Sequence, residues 1–239
     1  MSEDEKKREQ AVGRALPEWS PCEPPPQTPL EGRTCRLLPL RAAEHTQELY
    51  EEFSKDAEGG NWTYLGYGPF ASQEEFASWV QWAESLTDTH FFTVKGATSE
   101  RALGVASFLR VEPSIGVIEI GHIHFSPALQ GTTGATEALY LMMRRIFDEL
   151  GYRRCEWKCD SLNEASIRAA KRLGFEYEGT FRQATIYKGR NRDTAWFSIL
   201  DSEWPTVRQG LETWLDPSNF GPDGAQRRDL ASLQTPRNP

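Results

Sequence analysis

From residue 34 onward, hydrophobic positions recur at two spacings, and the switches between them mark out a series of short strands and helices. Thr34 to Leu40 reads as an opening strand, and Ala42 to about Lys55 follows the helical period. An aromatic, glycine-rich loop, Asn61 to Phe70, comes next. Ser72-Gln-Glu-Glu75 then forms a capping box at the start of a helix that runs to Leu86. Three β-type runs, His90 to Lys95, Arg101 to Glu112 and Ile115 to Phe125, are separated by Gly-Ala-Thr-Ser and Glu-Pro-Ser turns, the pattern of a meander. A helix over Thr133 to Leu150 follows, with apolar Ala138, Leu139, Met142, Ile146 and Phe147 on one stripe and Gly151 as its stop. A strand over Arg153 to Asp160 and a helix over Asn163 to Leu173 precede a hairpin, Phe175 to Lys188 and Arg192 to Leu200, turned at Gly189-Arg-Asn191. An amphipathic segment, Trp204 to Leu215, closes the ordered pattern. These elements predict one mixed α/β domain over residues 31–204.

The flanks read differently. Residues 1–30 are charged and then proline-rich, and Pro17, Pro21, Pro24, Pro25, Pro26 and Pro29 suit neither a helix nor a central strand. A mobile arm is expected, with Trp19 and Cys22 its only features able to dock. Residues 205–239 are expected to form a helix and then a loosely held tail from Asp216. No apolar run approaches the ~20 residues of a membrane span, and Met1 to Gln10 is too charged for a signal peptide, so a cytoplasmic protein is expected. No internal repeat is evident.

Composition narrows the function classes. Within 239 residues, 38% hydrophobic and 11% aromatic content with eight tryptophans describes a globular chain. The formal net charge of −8 gives no footprint for nucleic acid and suits an amine-bearing, cationic partner. Cys22, Cys35, Cys155 and Cys159 form no C-x-x-C pair and no tight cluster with the four histidines, which predicts reduced thiols and no metal site.

The most informative stretch is the strand ending at Phe125 and the turn Gln130-Gly-Thr-Thr-Gly-Ala135 that opens the next helix. Free backbone N–H groups and the positive end of the helix dipole at such a turn suit a pyrophosphate. It is neither a Walker A loop nor a GxGxxG turn. About thirty residues later, Asn163-Glu-Ala-Ser166 starts a second helix that ends at Leu173-Gly-Phe175, before another strand. This order of strand, Gln-x-x-x-Gly-Ala turn, helix, strand, Asn-x-x-Ser helix and Leu-Gly-Phe strand resembles the GNAT acetyltransferases over residues 33–204. The likeness is to the branch that includes the ribosomal-protein N-terminal acetyltransferases. One departure stands out: where the family places its first glycine, this chain has Thr133, with Gly134 displaced by one position.

The resemblance implies a GNAT fold with a splayed, mostly antiparallel sheet flanked by helices, and acetyl-CoA as co-substrate. It implies that Gln130, Gly131, Thr132, Thr133, Gly134 and Ala135 hold the pyrophosphate, that Asn163 contacts the pantetheine, and that backbone N–H groups at His124 or Phe125 face the oxyanion. Acetyl transfer to an amine needs a base, because a free alkylamine has a pKa near 10.4 and an α-amino group near 8. Glu119 and His122 are the candidates. Strict alternation puts Glu119, Gly121 and Ile123 on one face and His122 and His124 on the other, but the bulge that GNAT folds carry in this strand shifts that parity, so both candidates stand. Ser166 occupies the position from which the leaving thiolate receives a proton in the resembling branch. Trp62, Tyr64 and Tyr67 fall in the family's acceptor loop, where aromatic faces suit a cationic amine.

The expected activity is direct transfer of acetyl from acetyl-CoA to a primary amine, on a small molecule or a peptide N-terminus, by a monomer or homodimer. No nucleic acid or membrane partner is expected. A noncatalytic acyl-CoA-binding or assembly module on the same fold is the alternative.

Overall fold

A computed structural model describes residues 11–234. The charged start Met1 to Gln10 and residues 235–239 lie outside the described residues. Eight strands form one sheet in the order β1-β2-β3-β4-β5-β6-β8-β7: β1 Leu30–Glu31, β2 Cys35–Pro39, β3 His90–Gly96, β4 Ala102–Glu112, β5 Val117–Phe125, β6 Arg154–Asp160, β7 Glu176–Tyr187 and β8 Arg190–Leu200. All neighbours are antiparallel except β5 and β6, which run parallel. Every strand and helix expected from the periodicity is present, and β1 is an addition too short for a periodic signal.

Five helices cover the sheet: α1 Ala42–Phe53, α2 Gln73–Ser85, α3 Thr133–Arg144, α4 Glu164–Arg172 and α5 Trp204–Leu215. Ser72 caps α2 by accepting the Glu75 N–H at 3.2 Å, while the Glu75 carboxylate reaches back to the Ala71 N–H at 3.0 Å. The cap is that of the expected box, with the reciprocal bond made one residue earlier. The last turn of the helix begun by α3 winds as a π-turn over Arg145–Glu149.

Two apolar clusters lie on opposite faces of the sheet. One joins Phe92, Phe108, Ile118, Ile120 and Phe197 to Met142 and Ile146 behind α3 and to Val207 and Leu211 of α5. The other joins Phe91 and Val105 to Leu49, Phe53, Phe76, Trp79 and Val80 of α1 and α2, and takes in Trp62. At roughly 1.5–3 kcal/mol for each fully buried large aliphatic or aromatic side chain, these clusters dominate the stabilisation of the sheet. α3 is buried on nearly all sides because α5 covers the flank that the sheet leaves open.

The two flanks depart from expectation. The proline-rich segment is docked rather than mobile from Trp19 onward. Trp19 Nε1 donates to Ser114 O at 3.0 Å, and the indole lies 5.5 Å from the Arg153 guanidinium. A Cβ at Gly116 would collide with that indole. Cys22 N–H donates to Pro113 O, and Thr28 Oγ1 and Pro29 O accept from Arg145. After α5 the chain is also held: Asn219 Nδ2 donates to Trp214 O at 3.0 Å and to Arg228 O at 3.1 Å, and Leu230 is fully buried. Prolines exclude regular ladders but not side-chain docking, and the partners of the N-terminal segment lie about a hundred residues away in sequence, where periodicity carries no signal.

Candidate functional site

Two bulges set the geometry of the central strand. Opposite β4, Gly121 pairs with Ser107 and His124 with Val105, so His122 and Ile123 together face Ala106 alone. His122 takes a left-handed conformation, φ 49°. The bulge turns the strand, so that Ile118, Ile120, Ile123 and Phe125 face the α3 cluster while Glu119, His122 and His124 share the other face. A second bulge lies in β4, where Arg110 at φ 46° and Val111 oppose Ile118; it brings Arg110 beside Glu119. The parity left open by alternation is thereby resolved: both base candidates stand on one face.

Already ahead of the bulge at His122 and Ile123, β5 parts from β6. Their parallel pairing covers only Val117–Glu119 against Arg154–Glu156. From Ile120 on, the edge of β5 toward β6 has no strand partner. Ser126 N–H goes to Leu103 O on β4, so alternation directs the N–H of Phe125, and not that of His124, to the open edge. Gln130 Nε2 donates to Phe125 O at 2.8 Å and ties the turn to the strand end.

The turn itself fits an anion. Gly131 is left-handed at φ 71°, with open space where a side chain would stand. Thr132 is the N-cap of α3 and accepts from Ala135 N–H at 3.2 Å. The N–H groups of Thr133 and Gly134 have no acceptor inside the helix, and that of Gly131 has no backbone partner among the described residues. Thr133 is the first helical residue, and Gly134 packs on Leu129 and Thr34.

In the gap lies a cleft of about 190 Å³ lined by Tyr64, Gly66, Arg110, Glu119, His122, Trp157, Lys158, Cys159, Asp160, Asn163, Ser166 and Arg192. Glu119 Oε2 lies 2.6 Å from Arg110 Nη1 and 2.9 Å from Lys158 Nζ. Lys158 is only 7% exposed, holds Glu156 at 2.7 Å and sits 3.7 Å from the centre of the Trp196 ring. Glu156 in turn pairs with Arg154, which reaches Glu178, so alternating charges cross the face of the sheet from β4 to β7.

Burial, and secondarily the Arg110 charge, pushes the His122 imidazole down to about 4, so it is neutral at pH 7. Its Nδ1 lies 3.1 Å from the Tyr67 hydroxyl, which burial keeps protonated. His124 is pushed down to about 3, chiefly by burial, and is stacked on Trp62 at 3.8 Å.

The sequence-derived candidates therefore divide. Glu119, His122, Asn163, Ser166 and Tyr64 line the cleft, and Tyr67 supports His122 from behind. Trp62 and His124 are packed in the α1/α2 cluster, with Trp62 against Phe53 and Phe70, so their side chains lie away from the cleft. Asn163 caps α4 by accepting Ser166 N–H at 3.1 Å, and Ser166 Oγ accepts from Trp157 Nε1 at 2.9 Å. Tyr64 donates to Leu162 O at 3.0 Å, bridging the aromatic loop to the start of α4.

Sequence reasoning did not single out Arg110, Lys158, Asp160 or Arg192. A signal for two of them was present: Arg154, Glu156, Lys158 and Asp160 alternate with Cys155, Trp157 and Cys159, a charged face opposite an apolar one. Among the described residues no group of histidine, cysteine and acidic side chains could hold a metal ion, and no helix is long and apolar enough to cross a membrane.

Comparison with known proteins places these features in context. The family model of the acetyltransferase (GNAT) domain matches residues 35–176. A crystal structure of a GCN5-related N-acetyltransferase from Brucella melitensis is 43% identical, covers 92% of this chain and 99% of its own, and superposes with a TM-score of 0.90. A probable acetyltransferase of the GNAT family from Chromobacterium violaceum ATCC 12472 is 42% identical over 82% of this chain and 98% of its own, with a TM-score of 0.76. The ribosomal-protein-serine acetyltransferase of Escherichia coli K12 is 27% identical over 178 residues, which cover 68% of this chain and 91% of that protein.

Proposed function

Since the chain belongs to the GNAT family of acetyltransferases, which use acetyl-CoA, we propose that it moves the acetyl group of acetyl-CoA to a primary amine, on a protein N-terminus or a small molecule, within one ternary complex. The observation that carries this reading is the coincidence of three features: the open edge of β5, the turn with free N–H groups at its end, and a cleft with ionisable groups on its flank. The turn would hold the pyrophosphate on the N–H groups of Gly131, Thr133 and Gly134. Pantetheine, being amide-like, would run along the β5 edge as an added strand does. The Phe125 N–H would face the carbonyl oxygen that becomes the oxyanion.

In the transfer, the amine nitrogen forms a bond to the acetyl carbon, the carbon–sulfur bond breaks, and the thiolate leaves. Glu119 is the first candidate to take the amine proton, directly or through water: Arg110 and Lys158 both hold its Oε2, and among the described residues its Oε1 has no hydrogen-bond partner. His122, neutral and open at Nε2, is the second. Ser166 would return a proton to the thiolate, although a thiol of pKa near 8.5 can leave unaided. The likeness to the ribosomal-protein-serine acetyltransferase of E. coli favours a protein among acceptors. Incubating the purified protein with acetyl-CoA and a panel of peptides and amines, with mass spectrometry of the products, tests the reading. An acetylated amine supports it; micromolar acetyl-CoA binding with no acetylated product would favour a noncatalytic binding module.

A further inference from the structure

Among the described residues, one cation in the cleft has no ion pair. Arg192 stands on β8, where Thr194 pairs with Asp160 and Trp196 with Lys158, so residues 192, 194 and 196 share the face of Lys158 and Asp160. Its Nε donates to Thr194 Oγ1 at 3.2 Å, and the guanidinium packs 5.8 Å from the centre of the Tyr187 ring. Among the described residues it makes no ion pair. The neighbouring Asp160 is already engaged: Oδ1 accepts Leu162 N–H at 2.9 Å and Oδ2 accepts the Tyr187 hydroxyl at 2.7 Å. Glu119 is held between Arg110 and Lys158, and the second partner of Lys158 is Glu156.

Both carboxylates lining the cleft thus already have partners, with two cations on Glu119 Oε2, His122 is neutral, and the charge left without a counter-ion among the described residues is the Arg192 guanidinium. This reverses the reading drawn from net charge. The −8 of the whole chain favours a cationic acceptor, whereas each carboxylate in the cleft already has partners of its own and Glu119 is balanced by two cations. A planar guanidinium with unused donors matches a carboxylate in a two-point contact.

We propose that the acetyl acceptor carries a carboxylate a few bonds from its amine and that Arg192 binds it. The inference rests on the cleft being the acceptor site. The carboxylate can belong to a free amino acid or to an acidic side chain at a peptide N-terminus, so the test carries both. Initial rates of acetylation are measured for two matched pairs, alanine against alaninamide and a Ser-Asp peptide amide against its Ser-Asn counterpart, with wild type and Arg192→Gln, alongside acetyl-CoA titrations by calorimetry.

In at least one pair the acid should exceed its amide in kcat/KM by tenfold or more. In Arg192→Gln the KM for the acid should rise until the ratio falls to near one, with acetyl-CoA affinity equal to wild type. Equal rates for acid and amide in both pairs overturn the inference. So does a ratio that survives in Arg192→Gln, or a loss of acetyl-CoA affinity in that variant, which would assign Arg192 to the co-substrate. Turnover of neither acid nor amide, together with none across the wider amine panel, overturns the acetyltransferase reading itself and the inference with it.

Discussion

At the scale of single residues, the site depends on two left-handed positions that are not glycine, Arg110 and His122. They place Glu119, His122 and Arg110 on one wall of the cleft. Glu119→Gln should lower turnover by roughly 10²-fold or more while leaving acetyl-CoA affinity nearly unchanged, read from thiol release and calorimetry. If only His122→Ala lowers turnover and removes the acidic limb of the pH profile, the base is His122. The same burial makes an acid-side prediction for stability. With folded values of about 4 for His122 and about 3 for His124, the unfolded chain binds more protons once pH falls below the ordinary histidine value near 6.5. Their stability contribution is therefore full above that pH and lost as pH drops toward the folded values, by about 2 kcal/mol per histidine at pH 5. Denaturant unfolding at pH 7 and pH 5 should show this drop and find it reduced in a His122→Gln, His124→Gln double variant; an equal drop in the variant would refute it. The residue types were legible in the sequence, but their common face was not. It is set by cross-strand register: Arg110 is not a residue whose type announces a positive φ, and the enrichment of histidine there does not single out His122 from the three other histidines.

At the scale of elements, the turn before α3 is where sequence and structure agree most closely and where the one departure from the family pattern falls. Gly131 supplies the left-handed residue, Thr132 the cap and Gly134 a donor in the first helical turn. Thr133 sits at the first helical position, where a Cβ is no obstacle to helix geometry. Gly134→Pro should weaken acetyl-CoA binding tenfold or more, because proline is tolerated in a first turn but deletes the N–H. Gly134→Ala should bind nearly as wild type, since its Cβ would meet Leu129 and Thr132 at ordinary distances of 3.5 and 3.6 Å. Equal calorimetric affinities for wild type and Gly134→Pro would remove the pyrophosphate from this turn. Element existence was readable because each helix and strand keeps its hydrophobic period over several residues. The separation of β5 from β6 was not readable from period, since β6 alternates without a break past Glu156 and the one break in β5, at His122 and Ile123, reports its register against β4.

At the scale of the whole molecule, the fold gathers into one gap what the chain spreads from residue 64 to residue 192. The links between strands in the ion-pair row from Arg110 to Glu178 and the docking of the proline-rich segment were hidden in the sequence for the same reason, as each joins parts of the chain that only the fold brings together. The central claim is that this gap joins acetyl-CoA and an amine in one complex without an acyl-enzyme. The direct measurement is an initial-rate study of thiol release, varying acetyl-CoA at several fixed concentrations of an amine acceptor. Intersecting double-reciprocal lines are expected, because both substrates must be bound before the carbon–sulfur bond breaks. Parallel lines, the sign of an acetylated enzyme formed before the amine enters, would contradict the account.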